Sequence, residues 1–381
     1  MNTLLYTTVL PGKFIDRPNR FIAHVEVNGQ VETCHMPNPG RMRELLFPGC
    51  TLYVTPNKNP QSRTAYRVIG VDKGEDTFYL DTSRCNDVAA DLLIHQQIPG
   101  WENYMLLRRE VTMGDSRFDL LLGDRETGEV FPVEVKSCSL SGLHGAMFPD
   151  APTERGRKHL SHLMELGKQG SRAGLLLLVH YGKARWFLPD FHTDPEFANL
   201  FREALPWVDW KAAVLQWTPG FTMPCCTGLI PTSKEALDIE MGDRGNYLLV
   251  LRLAESKTIE IQGTMCQLPA GYYVWVGRAS ENLKKQINRY RRVRKTIETP
   301  VDALRAVSQW VGAIPICSKE DLTHLAEKNL ETFADWIVTA KDIHSTGPWF
   351  GFHQNPMHLK AFTQMEEELM INRLDRYFDG K

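Results

Sequence analysis

Two nearby segments, SRFDLLL at residues 116–122 and VEVKS at residues 133–137, decide the fold of the middle of this 381-residue chain. We predict a β-strand at each, and in VEVKS apolar and polar side chains alternate. Because alternate side chains of a strand share a face, Glu134 and Lys136 point the same way while the intervening valines point into a core. If the two strands are neighbours, Asp119 of the first segment lies next to Glu134 of the second.

This pair of carboxylates predicts a metal site. Two carboxylates about 4 Å apart repel each other by roughly 4 kcal/mol at an effective dielectric constant of about 20, and a divalent cation such as Mg²⁺ or Mn²⁺ offsets that repulsion. We predict Asp119, Glu134 and the main-chain carbonyl of Val135 as metal ligands. Asp119, Glu134 and Lys136 are the predicted catalytic residues of phosphodiester hydrolysis. A structural ion pair is the alternative, since a bare E-x-K pattern occurs about once by chance in a chain of this length.

The elements around these segments predict a mixed α/β layer. They are helices at 87–97 and 153–169, and strands at 105–113, 116–122, 130–137 and 175–179. The last strand is continuously apolar, which is typical of a buried central position. Strands that alternate with helices in this way favour an α/β domain.

The helix predicted at 153–169 carries basic residues outside its apolar stripe. Arg155, Lys158 and His159 are candidates to hold a phosphate backbone near the metal. A solvated amphipathic helix is an equally good interpretation of any one of them.

Short strands separated by turns occupy the first 80 or so residues. Asn28-Gly29 lies between two alternating segments and predicts a hairpin. About five short strands in this length predict a small closed barrel of the OB-like kind. Basic and amide side chains on such a barrel are candidate nucleic-acid contacts, and these are Arg17, Asn19, Arg20, Asn38 and Arg41. Phe21 and Tyr53 are candidate stacking rings, although an aromatic side chain in a small barrel more often belongs to the core.

Together these phrases resemble the sugar fermentation stimulation protein A family of bacteria and archaea. The carrying segments are SRFDLLL, VEVKS, FPDAPTERGRKHL at 148–160, FIDRPNRF at 14–21 and HMPNPGRM at 35–42. The resemblance implies an OB-like domain at 1–82, a PD-(D/E)XK nuclease-like domain at 83–217, DNA binding and a regulatory role in sugar utilisation. By that pattern Asp119 is the motif aspartate, and Glu134 and Lys136 form the E-x-K pair.

A third unit is expected at 243–381, after a Pro- and Gly-containing linker at 218–242. GNY at 245–247 and GYYVWVGRA at 271–279 resemble an α+β GIY-YIG-like domain of unknown function. Gln286 stands where active GIY-YIG nucleases have an arginine, and Trp275 replaces the second motif tyrosine, so we expect no cleavage from this unit. Its basic helix, predicted at 281–295, provides candidate nucleic-acid contacts at Lys284, Lys285, Arg289 and Arg292.

The composition is that of an ordinary soluble protein. Hydrophobic residues make up 43% and charged residues 24%, and the net charge of −2 means that any nucleic-acid binding depends on local patches. The sequence shows no membrane span, signal peptide or C-x-x-C pair, so we expect a cytoplasmic protein with free thiols. The expected partner is nucleic acid, with DNA the first choice. A DNA-binding regulator that keeps a nuclease fold without cutting, and an interaction scaffold, are the alternatives.

Overall fold

The computed structural model describes residues 4–57, 61–74, 76–261, 263–293, 296–341 and 346–379. It divides the chain into two compact units. The first unit runs to Lys234 and includes the segment from Leu374 onward, and the second spans Glu235–Arg373. Among the described residues, no helix combines the length and the apolar character needed to cross a bilayer.

The first unit begins with a barrel. Its strands are β1 (Leu10–Asn19), β2 (Ile22–Val27), β3 (Gln30–His35), β4 (Thr51–Pro56), β5 (Tyr66–Lys73) and β6 (Asp76–Tyr79). The pairing runs β1-β2-β3-β5-β4 and returns to β1, which closes five strands, while β6 extends β5. Asn28 and Gly29 both have positive φ, at 52° and 79°, as the predicted hairpin turn requires. The predicted OB-like barrel is confirmed.

A mixed α/β domain follows the barrel in the same unit. Its elements are α1 (Cys85–Ile94), β7 (Tyr104–Met113), β8 (Ser116–Asp124), β9 (Val130–Cys138), β10 (Leu140–Ser141), β11 (Gly145–Phe148), α2 (Glu154–Lys168), β12 (Gly174–Val179), β13 (Trp186–Pro189), α3 (Pro195–Ala204), β14 (Asp209–Gln216) and β15 (Cys225–Leu229), with a 3₁₀ turn at Thr82–Arg84. The main sheet has the order β15-β14-β12-β9-β8-β7, and a small sheet has the order β10-β11-β13. The apolar strand β12 is central and fully buried, as predicted.

The two faces of the main sheet pack against different helices. Val133 and Val135 of β9 join the core that contains α1. On the other side, Leu160 and Leu163 of α2 pack with Phe118 and neighbouring apolar residues. Glu134 and Lys136 alternate with these valines along β9, so they lie on the side of the sheet that faces α2.

The segment at 218–242 is not the linker that its prolines and glycines predict. Phe221 is fully buried, and its ring lies 6.0 Å from that of Trp217. The same segment forms β15, which pairs with β14, and α4 (Lys234–Glu240). The boundary between the units therefore falls near residue 234, where a helix begins.

The second unit has its own sheet. Its remaining elements are β16 (Gly245–Leu253), β17 (Lys257–Ile261), β18 (Thr264–Leu268), β19 (Gly271–Ala279), α5 (Leu283–Arg291), α6 (Pro300–Val307), β20 (Gln309–Cys317), α7 (Thr323–Glu331), β21 (Trp336–Val338), β22 (Trp349–Phe352) and α8 (Lys360–Met370), with a 3₁₀ turn at Pro356–His358. A last 3₁₀ turn at Asn372–Tyr377 spans the boundary between the units. The sheet order is β20-β16-β19-β22-β21, and β17 and β18 form a separate pair.

Two predictions about the end of the chain need correction. The basic helix predicted at 281–295 is shorter, since α5 ends at Arg291; Arg294 and Lys295 lie outside the described residues. The third unit does not extend to residue 381, because the segment after Leu374 belongs to the first unit. There Asp375 accepts a hydrogen bond of 2.7 Å from the Trp186 indole.

Candidate functional site

Asp119 and Glu134 lie at the point where β8 and β9 stop pairing regularly. Leu120 is opposite Val133 in the antiparallel ladder, so the next position brings Asp119 alongside Glu134. Here the main-chain N–H of Val135 donates to Asp119 Oδ2 at 2.8 Å. A carboxylate thus takes the place of a main-chain acceptor, and it projects from the edge of β8 towards β9.

A residue of α1 holds the other oxygen of this carboxylate. The Asn86 amide donates to Asp119 Oδ1 at 2.8 Å. Asp119 is half-buried, so two hydrogen bonds fix its orientation while part of the side chain stays accessible to solvent. No pattern in the sequence marks Asn86, because a single amide near the start of a helix is common.

Glu134 is almost fully buried, with 2% of its surface exposed, and its two oxygens have different surroundings. Oε1 accepts from Lys136 Nζ at 2.5 Å and lies 2.6 Å from His159 Nδ1. Oε2 has no hydrogen-bond partner among the described residues. A buried carboxylate oxygen without a partner is costly, so this atom is the clearest chemical anomaly in the site.

The pKa values of the two carboxyl groups shift in opposite directions. Burial, and then the negative charge of Glu134, raise the pKa of Asp119 despite its hydrogen bonds. Burial also acts to raise the pKa of Glu134, but the close contact with His159 and the charge of Lys136 outweigh it and keep that pKa below its ordinary value. The negative charge of Glu134 therefore acts on Asp119.

The donor set fits a hard divalent cation. Within the part of the chain that the structure describes, no three His, Cys, Asp or Glu side chains form a ready-made metal site. Mg²⁺ usually binds one or two carboxylates and completes its shell with water and phosphate oxygens, so a cage of side chains is not required. Asp119, the unpaired Oε2 of Glu134 and the carbonyl of Val135 supply the appropriate oxygen chemistry.

Two of the predicted nucleic-acid contacts on the barrel have structural roles instead. The Arg17 guanidinium donates to the carbonyls of four residues, namely Asn38, Gly40, Arg41 and Arg20. Asn38 is only 3% exposed, and its side chain bonds the hydroxyl of Ser139 and the N–H of Gly40. Arg17 and Asn38 therefore fix the loop at residues 37–41 against the α/β domain.

The other barrel candidates remain on the surface. Arg20 and Arg41 are exposed, and the Arg20 guanidinium lies 4.7 Å from the centre of the Phe21 ring. Phe21 is 47% exposed, so its assignment to the barrel core is wrong and the ring is open to solvent. Asn19 accepts a hydrogen bond from the Phe21 N–H, which stabilises the turn between β1 and β2.

Arg155 and Lys158 lie on the exposed side of α2, whereas His159 points inward. His159 is 5% exposed and contacts Glu134, so its prediction as a nucleic-acid contact is corrected: it belongs to the carboxylate site. The helical period explains the split, because residue 159 falls on the same face as the buried Gly156 and Leu163.

The basic helix of the second unit shows a similar division. Lys284, Lys285 and Arg292 are exposed. Arg289 instead forms ion pairs with Asp302 at 2.9 Å and Glu298 at 2.5 Å. Arg289 therefore connects α5 to the start of α6, which is a structural role within this unit.

Comparison with known proteins identifies the first unit. A model of the SfsA N-terminal OB domain matches residues 15–79, and a model of the sugar fermentation stimulation protein RE domain matches residues 83–219. The sugar fermentation stimulation protein homolog of Clostridium acetobutylicum is 40% identical over 192 residues, which cover 50% of this chain and 83% of that protein. The homolog of Clostridium botulinum strain Loch Maree is 38% identical over 196 residues, covering 51% and 85%.

A solved structure agrees with these matches. SfsA of Pyrococcus furiosus, determined in complex with Ca²⁺, superposes with a TM-score of 0.55 at 27% identity, covering 61% of this chain and 99% of that chain. Both family models match in order along one unit, and each named relative is covered over most of its length. The chain belongs to the sugar fermentation stimulation protein family.

Proposed function

We propose that the first unit is a metal-dependent phosphodiesterase that cuts DNA. The observation that carries this proposal is the closeness of Asp119 and Glu134 at the β8–β9 edge, where Oε2 of Glu134 has no hydrogen-bond partner in the part of the chain that the structure describes. Most buried side-chain oxygens have at least one hydrogen-bond partner, so an oxygen without one is available to a cation. The Ca²⁺ complex of the Pyrococcus furiosus relative supports a site for an oxygen-liganded cation in this family.

Asp119, Glu134 and the carbonyl of Val135 would hold Mg²⁺ or Mn²⁺. A divalent cation bound there would supply a water nucleophile at neutral pH and stabilise the negative charge that develops on the phosphate. Lys136 has 16% of its side chain exposed, and its ammonium group lies beside the carboxylates, where it can orient the attacking water and neutralise a phosphate oxygen. Asn86 and the Val135 N–H keep Asp119 in a fixed orientation.

The exposed cations of the first unit would position the DNA backbone. Arg155 and Lys158 follow one side of α2, whose buried side contacts Glu134. On the barrel, Arg20 and Arg41 supply charge, and the open ring of Phe21 can stack on a base. Phosphate contacts of this kind set affinity and orientation without reading sequence. The regulatory role in sugar utilisation that the family resemblance implies would use the same surface.

The second unit would add nucleic-acid affinity through α5. Lys284, Lys285 and Arg292 are its exposed basic residues. We assign this unit the GIY-YIG-like fold by its motifs, and we assign it no cleavage because Gln286 and Trp275 replace residues of the active pattern.

A nuclease assay with Mg²⁺ or Mn²⁺ on single-stranded, duplex and branched DNA tests the proposal. Asp119→Ala and Glu134→Ala should abolish turnover, while the double variant Arg155→Ala/Lys158→Ala should weaken binding and keep the cation requirement. Cleavage that survives both carboxylate substitutions would disprove the assignment.

A DNA-binding protein that does not cut is the second candidate. It is favoured by the ion pairs of Glu134 with Lys136 and His159, which also stabilise the fold. In that case the wild type binds DNA with an affinity that falls steeply as salt rises, no substrate turns over, and Glu134→Ala leaves the affinity unchanged.

A further inference from the structure

His159 and Lys136 contact the same oxygen of Glu134. The Nζ of Lys136 lies 2.5 Å from Oε1, and Nδ1 of His159 lies 2.6 Å from it. Lys136 and His159 thus lie on the same side of the carboxylate. Lys136 donates a hydrogen bond, His159 makes a close polar contact without hydrogen-bond geometry, and Oε2 keeps no hydrogen-bond partner among the described residues. Lys136 is two residues from Glu134 on the same strand, whereas His159 approaches from a different element.

The structure holds the His159 ring firmly in place. It is 5% exposed, and the Phe118 ring packs against it edge-on with centroids 5.9 Å apart. The helix that carries it is anchored at its start by Asp194, which accepts from the Thr153 N–H at 2.8 Å and from Arg157 at 2.8 Å. The position of the imidazole relative to β9 is therefore set by the packing of α2 and not by a flexible side chain.

A carboxylate with one oxygen restrained from two directions cannot rotate freely. Rotation of Glu134 about its last bond would exchange Oε1 and Oε2, and it would break the contacts to Lys136 and His159 together. Lys136 alone restrains this rotation weakly, because a long side chain with a point charge can follow the moving oxygen. The planar, packed imidazole cannot follow it.

We propose that His159 is a positioning residue that holds Glu134 so that Oε2 stays free to bind the divalent cation. This inference rests on the proposed metal site, and it adds a partner from α2 that fixes the orientation of a metal ligand. Partners of this kind typically change metal affinity by about 10- to 100-fold when they are removed.

Binding of Mn²⁺ alone to the full chain, measured by isothermal titration calorimetry, tests the inference without any nuclease reaction. His159→Phe keeps a ring at this place and removes the nitrogen that contacts Glu134, and we expect it to weaken Mn²⁺ binding by about 10-fold or more. His159→Asn returns an N–H at nearly the place of Nδ1 and should restore affinity to within a few-fold of wild type.

His162 provides the matched control. It lies on the same helix and against the same Phe118 ring, with centroids 5.3 Å apart, so His162→Phe tests packing without the contact to Glu134 and should bind Mn²⁺ as wild type does. If His159→Phe does not fold by circular dichroism, His159→Met is the second donor-free variant.

The possible results distinguish a failure of the proposed metal site from a failure of the positioning role of His159. If Glu134→Ala abolishes Mn²⁺ binding but His159→Phe and His159→Met bind as wild type, the positioning role is wrong and the metal site stands. If Glu134→Ala binds Mn²⁺ as tightly as wild type, or if the wild type binds none, the metal site and the positioning role both fail.

Discussion

Replacing Arg17 with lysine tests whether this residue stabilises the loop at residues 37–41 or serves mainly as a surface charge. Its guanidinium donates to four main-chain carbonyls at distances of 2.6 to 3.1 Å. Lysine keeps the charge, but one ammonium group cannot reach all the carbonyls that a planar fork spans. A hydrogen bond from a charged donor contributes about 1.5–3 kcal/mol, and at a half-buried site water replaces part of that contribution. Because lysine loses at least two of the four hydrogen bonds, we expect the closed loop to be destabilised by about 2–4 kcal/mol.

Hydrogen exchange at the Gly40 amide measures this loss directly. That amide donates to the Asn38 side chain at 2.9 Å and is buried, so it exchanges when the loop opens. Exchange in Arg17→Lys should be faster by about 30- to 700-fold, because each 1.4 kcal/mol corresponds to about a factor of ten. Arg20→Lys is the control, since that side chain is exposed over Phe21. Equal exchange rates in the two variants would refute the structural role of Arg17.

Three further predictions concern stability. Burial raises the pKa of Asp190 to about 6, so the folded state binds this proton more tightly than the unfolded state. This stabilisation is complete below the unfolded pKa near 3.8 and is lost as the pH rises through about 6. The free energy of unfolding, measured with urea, should therefore fall by about 3 kcal/mol across this range, and the fall should be absent in Asp190→Asn. A Cβ on Gly40 would lie 1.6 Å from Asp150 Oδ2, so Gly40→Ala should destabilise the first unit by about 1–3 kcal/mol in thermal unfolding, with partial recovery in Gly40→Ala/Asp150→Ala. Phe221→Ala should lower the free energy of unfolding of the first unit by about 3–5 kcal/mol in thermal unfolding. If the variant melts as the wild type does, the segment after residue 217 is a linker.

The elements that the sequence predicted well are those specified by local patterns. The SRFDLLL and VEVKS segments appear as β8 and β9, and the apolar run at 175–179 is the central strand β12. The Asn28-Gly29 turn forms because both residues tolerate positive φ. Each of these features depends on residues within about ten positions of one another, so periodicity and turn chemistry suffice to locate them.

The features that the sequence missed depend on distant contacts. Arg17 bonds carbonyls more than twenty positions away, and Asn38 bonds Ser139 of another domain. Neither pairing leaves a local pattern, so a basic residue and an amide on a barrel were predicted to face solvent. Phe221 sits among prolines and glycines that favour a loop, but its ring is fully buried, and tertiary packing overrides the composition.

The carboxylate site depends both on a local sequence pattern and on a distant contact, and the two together indicate whether the site binds a cation. Glu134 and Lys136 form an ion pair that two positions on one strand can create by themselves, which is why E-x-K alone is a weak signal. The structure adds His159 from α2, whose Nδ1 lies 2.6 Å from the same oxygen. Among the described residues, Oε2 still has no hydrogen-bond partner. If the cluster served only to stabilise the fold, a donor on Oε2 would lower the free energy of the folded state, since an unpaired buried acceptor costs roughly 1–3 kcal/mol. The oxygen without a partner is buried and belongs to the carboxylate whose charge raises the pKa of Asp119. A cation shared by the two groups would offset both the unpaired acceptor and the repulsion between the carboxylates.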